Sequence, residues 1–225
     1  MDYNFLSNTL LFRGVDAADI ETMLPCLNAK TREFQRGEVI HHAGTQIQSM
    51  GFVLSGSISI ENDDVWGNKS ILDRVQPGQV FGETYSCVPN EPLMVSVVAA
   101  QPCRVLFLDT SRVIHVCPRA CEFHNALIRN LLSISSQKNL NLSRRIFHTS
   151  SKSIRGRLLS YLSFQSILNG SRDFHIPFNR QQLADYLSVD RSAMSNELSK
   201  MQRDGLLQVN RNHFILTGID PESEF

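Results

Sequence analysis

What this 225-residue chain lacks narrows its class before any motif is read. It has no net charge, since 22 Lys and Arg balance 22 Asp and Glu, so it is neither a polycationic tail nor an acidic disordered segment. It has no apolar run near the roughly 20 residues that span a bilayer. Its start, MDYNFLSNTL, lacks the basic and apolar blocks of a signal peptide, so a cytoplasmic protein with no membrane partner is expected. Cysteine is sparse, odd in number and irregularly placed (Cys26, Cys87, Cys103, Cys117, Cys121), which suits reduced thiols better than a disulfide framework. A His-x-His plus carboxylate set is also missing. His41 and His42 are adjacent in a predicted strand and face opposite ways, so they cannot chelate one metal. No catalytic residue and no metal ligand is expected, and a metal-dependent jelly-roll oxygenase loses its constellation.

The zero balance hides an asymmetry. From Arg144 to His213 there are eleven Lys and Arg against five Asp and Glu, a formal +6, whereas residues 1–143 hold eleven against fourteen, a formal −3. A local positive excess is the footprint of a phosphate-binding module, though weak by itself.

The excess surrounds NRQQLADYLSVDRSAMSNELSKMQRDGLL, residues 179–207. Asn179 can cap a helix from Arg180, with Gln182 reaching back to complete a capping box. Leu183, Ala184 and Leu187 share one face, and small Ala184 admits a close second helix. Ser188-Val189-Asp190 is then a tight turn, with Asp190 capping a helix from Arg191 to about Asp204 whose Met194, Leu198 and Met201 face inward. Gly205 ends it. A helix-turn-helix commonly carries Gly at the place of Ser188; positive φ there costs a non-glycine residue about 1 kcal/mol. Residues 206–216 read as a hairpin turning at Asn210 to Asn212, which makes a winged helix-turn-helix.

On the outer face remain Arg191, Ser192, Ser195 and Asn196, placed to read bases, and Ser199, Lys200 and Arg203, placed with Arg180 for phosphates. A solvated polar helix face is the plainer account of such residues. Two caps, a three-residue turn and a following hairpin favour double-stranded DNA.

Upstream, Asp16 to Leu24 has an acid-rich start and helical spacing. Between Thr31 and Asp109, short alternating strands separated by glycine turns, one near Trp66-Gly67-Asn68, imply an antiparallel sandwich or jelly roll. Arg119 to Ile146 contains neither glycine nor proline and predicts a helix about 40 Å long. Phe123, Leu127, Leu131 and Ile134 form one stripe that can cover the sandwich; Ile128, Leu132, Leu142 and Ile146 form another that needs a partner, most simply a second copy of the chain. Residues 147–152 look like a hinge, and Ser153 to Leu168 a supporting helix. The expected class is α+β: an effector-sensing jelly roll over 1–115, a dimerisation helix over 116–147 and a winged helix-turn-helix over 148–225.

This order, with RGEVI, FVLSGSISI, PGQVFGE and the spaced glycines Gly37, Gly44, Gly56, Gly78 and Gly82, resembles the Crp/Fnr family of bacterial transcription regulators over essentially the whole chain. The resemblance implies a homodimer on an inverted-repeat operator, contact with RNA polymerase, and control by a small-molecule or redox effector. It also implies that Arg191, first in the recognition helix, reads a guanine. An effector pocket is implied at Gly82, Glu83, Thr84, Leu93 and Met94. In cyclic-AMP-binding members an Arg-Ser pair follows the Gly-Glu; here Leu93-Met94 stands there, so cyclic AMP is not expected. A cyclic-nucleotide-responsive regulator and a haem or gas sensor remain alternatives, the latter through His115 and His124. No cofactor is expected. An iron-sulfur cluster needs more N-terminal thiols than Cys26; Cys117 and Cys121, one helical turn apart with Pro118 between them, are too few.

Overall fold

The computed structural model describes residues 1–63, 69–115 and 122–218; the turn expected at residues 66–68, Cys117 and Cys121 lie outside them. Two compact units result, Met1–Gln137 and Lys138–Phe225.

The first unit opens with α1 (Tyr3–Ser7), capped by Asp2, and α2 (Ala17–Met23). Strands β1 (Lys30–Phe34), β2 (Val39–His41), β3 (Ser49–Ser55), β4 (Ile58–Asp63), β5 (Lys69–Val75) and β6 (Val80–Phe81) follow. Then come α3 (Glu83–Cys87), β7 (Ser96–Ala99), β8 (Cys103–Asp109) and α4 (Thr110–Ile114). The strands form two four-stranded antiparallel sheets, ordered β1-β8-β3-β6 and β2-β7-β4-β5, the sandwich that the alternation implied. Gly51 sits in β3 opposite Phe81, and a Cβ there would fall 2.1 Å from the Phe81 ring, so only glycine lets the two strands pair.

The first sheet is buried on both faces. Val53 and Val105 face the opposite sheet with Phe34, Ile58 and Val97, while Met50, Phe52, Leu106 and Leu108 face outward into a second core. That second core is closed by Leu6, Leu11, Phe12 and Ile20 from the N-terminal segment and by Leu127 and Leu131 of α5 (Glu122–Thr149). The first stripe of the long helix therefore covers the sandwich as expected. Asn130 pins it, its side-chain amide donating to the carbonyls of Leu11 at 2.9 Å and Arg13 at 2.8 Å. The helix has 28 residues, about 42 Å at 1.5 Å per residue. The division between the two units falls within it.

The second unit continues with α6 (Ile154–Asn169), β9 (Asp173–His175), α7 (Arg180–Leu187), α8 (Arg191–Arg203), β10 (Leu207–Asn210) and β11 (His213–Leu216). Its sheet runs β10-β11-β9, so the expected hairpin gains a third strand, pairing Phe214 with Phe174. Three residues were too few to show a period in the sequence. One core, including Leu158, Tyr161, Leu183, Leu187, Met194, Leu198 and Phe214, joins α6, α7, α8 and the wing.

Candidate nucleic-acid interface

The reader is built by its own side chains first. The amide of Gln182 donates to Oδ1 of Asn179 at 2.9 Å and the amide of Asn179 donates to Oε1 of Gln182 at 2.8 Å, so the capping box closes both ways. Ala184 is fully buried where α8 crosses. Ser188 ends α7 at φ 55°, the left-handed conformation expected to be strained, and its amide and that of Val189 satisfy the last carbonyls of α7. Asp190 then accepts from the amide of Ala193 at 2.7 Å and starts α8. Met194, Leu198 and Met201 point into the core, which turns the opposite face outward.

Arginines supply the next layer, and the charge count did not foresee it. Arg157 donates to the carbonyls of Leu187 at 3.0 Å, Ser188 at 2.9 Å and Ser151 at 2.8 Å, holding the turn from beneath. Arg145, near the end of α5, donates to the carbonyls of Tyr186 at 3.2 Å and Asp185 at 3.1 Å. Both cations thus neutralise the negative end of α7. Arg155 of α6 grips α8 by donating to Glu197 at 2.8 Å and Asp204 at 2.5 Å. These three of the eleven Lys and Arg between Arg144 and His213 are engaged within the fold, so the count of cations overstates the side chains free to meet a phosphate backbone. Their spacing carried no signal, because their partners are backbone carbonyls and acids brought close only by folding.

Arg191, Ser192, Asn196, Ser199, Lys200 and Arg203 are exposed on α8, and Ser195 is half-buried. The Ser195 hydroxyl donates to the carbonyl of Arg191 at 2.9 Å and that of Ser199 to the carbonyl of Ser195 at 3.0 Å, so each meets a ligand as an acceptor unless it rotates. Lys200 lies 3.7 Å from Glu197 and is partly neutralised. Arg180 is set apart from the others: its guanidinium lies 5.5 Å from the ring centre of Phe214, and burial holds its pKa below the usual value.

Behind the reader, His148 on the last turn of α5 is 1% exposed among Tyr161, Phe164 and Tyr186, sharing a 2.9 Å hydrogen bond between Nδ1 and the Tyr186 hydroxyl. Burial, then the charge of Arg144, keeps its pKa low. Burial likewise raises the phenols of Tyr161 and Tyr186.

The expected effector residues divide between core and surface. Glu83 and Leu93 are buried, whereas Thr84 is exposed and Met94 is 75% exposed. The reason is a long-range pair of hydrogen bonds. Leu93 is hydrogen-bonded through both its amide (to Thr45) and its carbonyl (from Gly44), which turns it inward and its neighbour Met94 out. Gly82 adopts φ +71° beside Ile47, where a Cβ would clash at 2.8 Å. Two clefts in this unit, of about 470 and 640 Å³, are lined by other residues. The two histidines named for a haem differ in exposure. His115 is exposed, with Nδ1 donating to the carbonyl of Ser111 at 2.7 Å. His124 is 1% exposed, with Nε2 donating to the carbonyl of Arg112 at 3.2 Å, and offers a porphyrin no open face. Among the described residues, no group of three or more His, Cys, Asp or Glu could hold a metal ion, and no helix is long and apolar enough to cross a membrane.

Comparison with known proteins matches the cyclic nucleotide-binding domain family to residues 31–119 and the Crp-like helix-turn-helix domain family to residues 156–222. The transcriptional activator protein FnrL of Cereibacter sphaeroides is 21% identical over 198 residues, covering 83% of this chain and 76% of its own. The catabolite activator protein of Thermus thermophilus is 18% identical, with 92% and 93% of the two chains covered and a TM-score of 0.51. CprK complexed with OCPA is 17% identical, with 88% and 89% covered and a TM-score of 0.60. At these identities the two structures speak to the fold alone. The matched domains occur in the order in which the capped helix pair follows the sandwich, and this chain belongs to the Crp/Fnr family of DNA-binding transcription regulators.

Proposed function

We propose that the protein acts in the cytoplasm as a homodimer that reads an inverted-repeat operator and contacts RNA polymerase under control of a small effector. In this reading residues 1–115 sense, 116–147 dimerise and 148–225 bind DNA. The observation that carries it is the outer face of α8, exposed while its other faces are fixed by the core and by Arg155. Arg191 at the helix start reads guanine, Asn196 five residues later favours adenine, and Ser192 and Ser195 fill the positions between. Arg180, Ser199, Lys200 and Arg203 meet phosphates, Arg180 from the start of α7.

The second stripe of α5 supports the dimer. Ile128, Leu132, Ser135, Asn139, Leu142 and Ile146 recur at alternating steps of four and three, the spacing of a two-helix seam. Leu132 is 65% and Ile146 68% exposed in the single chain, a large apolar cost in water that a second copy removes. Asn139 in the middle suits a seam that fixes register with one polar residue.

Selection of sites from random DNA tests the reading. Enriched sites should be inverted repeats with a guanine and an adenine in each half, the half-sites about one helical turn (10 base pairs) apart. No enrichment, or single half-sites only, would overturn it.

A further inference from the structure

Alternate residues of β1 point to the same side, so Lys30, Arg32 and Phe34 share the inner face of the sandwich. Phe34 is buried at the core end, and the two cations stand at the opening. Antiparallel pairing sets Phe107 of β8 beside Lys30 and Val105 beside Arg32. The opposite sheet contributes Ile40 and His41, and the segment before β3 contributes Ile47. Together these enclose a cleft of about 470 Å³, within the roughly 300–1,000 Å³ range of small-molecule sites.

The walls are of three kinds, of which His42, Thr45, Gln46, Gln48 and Ser49 form the neutral polar one. Ile40, Ile47 and Phe107 are apolar, and the His41 ring meets Phe107 edge-on at 5.8 Å between centres, with Phe81 at 6.4 Å behind. Lys30 and Arg32 are cationic, and among the described residues that line the cleft there is no Asp or Glu. The nearest acid in sequence, Glu33, points to the other face of the sheet, 3.9 Å from Arg104. The Arg32 guanidinium carbon lies 5.1 Å from the centre of the Phe34 ring, a contact that orients the group. Its in-plane N–H donors keep the fork geometry that matches a carboxylate. Nε2 of His41 is buried with no hydrogen-bond partner in the protein, and such an atom marks a site whose polar groups the fold alone does not satisfy. The charge of Arg32 adds to burial in holding His41 below its usual pKa, which registers a positive potential inside the cleft.

We propose that this cleft binds a small organic carboxylate with an aromatic or branched aliphatic body, its carboxylate on Arg32 and Lys30 and its body against Phe107, Ile40 and Ile47. Its service as the effector site rests on the regulator reading; the binding itself does not. A cationic mouth over an apolar floor selects against neutral isosteres, which forgo the charge-assisted bonds to Arg32 and Lys30, and against bare inorganic anions, which leave the floor wet.

Full-length protein titrated with benzoate, benzyl alcohol and inorganic phosphate, by calorimetry and by the ring resonances of His41, tests this. Benzoate should saturate with a Kd of about 1 mM or tighter, and the other two should bind at least about tenfold more weakly. Arg32→Gln should weaken benzoate about tenfold and Arg32→Lys less, whereas Arg104→Gln, on the opposite face, should leave it unchanged. In the wild type the His41 resonance should move with benzoate occupancy, a readout that needs no variant to fold. Equal affinity for benzoate and benzyl alcohol, a His41 resonance that stays still, or equal effects of Arg32→Gln and Arg104→Gln would overturn the assignment. DNA binding of the same wild-type sample without benzoate is measured alongside. Its absence would count against the regulator reading and leave the cleft to be judged on the titration.

Discussion

Replacing Arg155 by Met separates the scaffold of the reader from the reader. Arg155 donates to Glu197 at 2.8 Å and to Asp204 at 2.5 Å, so one side chain of α6 holds the middle and the end of α8. The two bonds are not equal. The Glu197 side chain is 17% exposed, and losing a charge-assisted partner there costs about 1.5–3 kcal/mol. Asp204 is 45% exposed, so solvent screening limits its share to about 0.5 kcal/mol. Lys200, 3.7 Å from the second Glu197 oxygen, remains as a partial substitute and pulls the total towards the lower end, about 2 kcal/mol. For a unit of this size a loss of 1 kcal/mol lowers Tm by about 4–8 °C, so the second unit should melt roughly 8–16 °C lower. Thermal unfolding of the full chain at 222 nm should show this. A double-mutant cycle with Glu197→Gln isolates the pair and should give a coupling of about 1 kcal/mol or more. Additive single losses, or a melting shift below about 2 °C, would refute the reasoning.

Arg191→Ala should cost roughly 1–3 kcal/mol on the selected operator and relax preference at one base pair, whereas Arg203→Ala should weaken all sequences alike and lower the salt slope by about one. Equal losses for Arg191→Ala on selected and scrambled DNA would make that residue a phosphate contact. Leu132→Glu or Ile146→Glu should convert dimer to monomer in sedimentation equilibrium at micromolar protein, because each places two unpaired carboxylates in the seam. On acidification the buried His148 should destabilise the second unit. Its folded pKa lies below the unfolded value of about 6.5, so the neutral ring's contribution is intact above pH 6.5 and is lost as pH falls below it, by at most about 1.4 kcal/mol per pH unit. Melting curves between pH 8 and 5 check this, and His148→Phe should flatten the profile. Titration calorimetry should detect no cyclic AMP binding at micromolar concentration, since Leu93 and the solvent-facing Met94 supply no phosphate clamp beside Glu83.

What the chain announced by itself lies where local chemistry decides the outcome. The capping box of Asn179 and Gln182, the cap at Asp190, the stop at Gly205 and the periodicity of residues 119–146 are short-range, so reading neighbours sufficed to place α7, α8 and the body of the long helix, which runs on to Thr149, three residues into the expected hinge. The strained Ser188 was equally legible, because a tight turn at that spacing admits one conformation. Alternation disclosed a sandwich, but the pairing of β1 with β8 across some seventy residues is a tertiary outcome, and with it came the juxtaposition of Arg32, His41 and Phe107. The same holds for Arg145, Arg155 and Arg157, which were indistinguishable by sequence from DNA-facing arginines until the fold gave them carbonyls and acids. The expected effector residues divide between core and surface for a related reason. A motif fixes which residues neighbour Glu83 along the chain, yet only the Thr45 and Gly44 hydrogen bonds to Leu93 decide that Leu93 turns in and Met94 out. Side-chain direction in an irregular loop follows its long-range partners, and those exist only once the chain has folded.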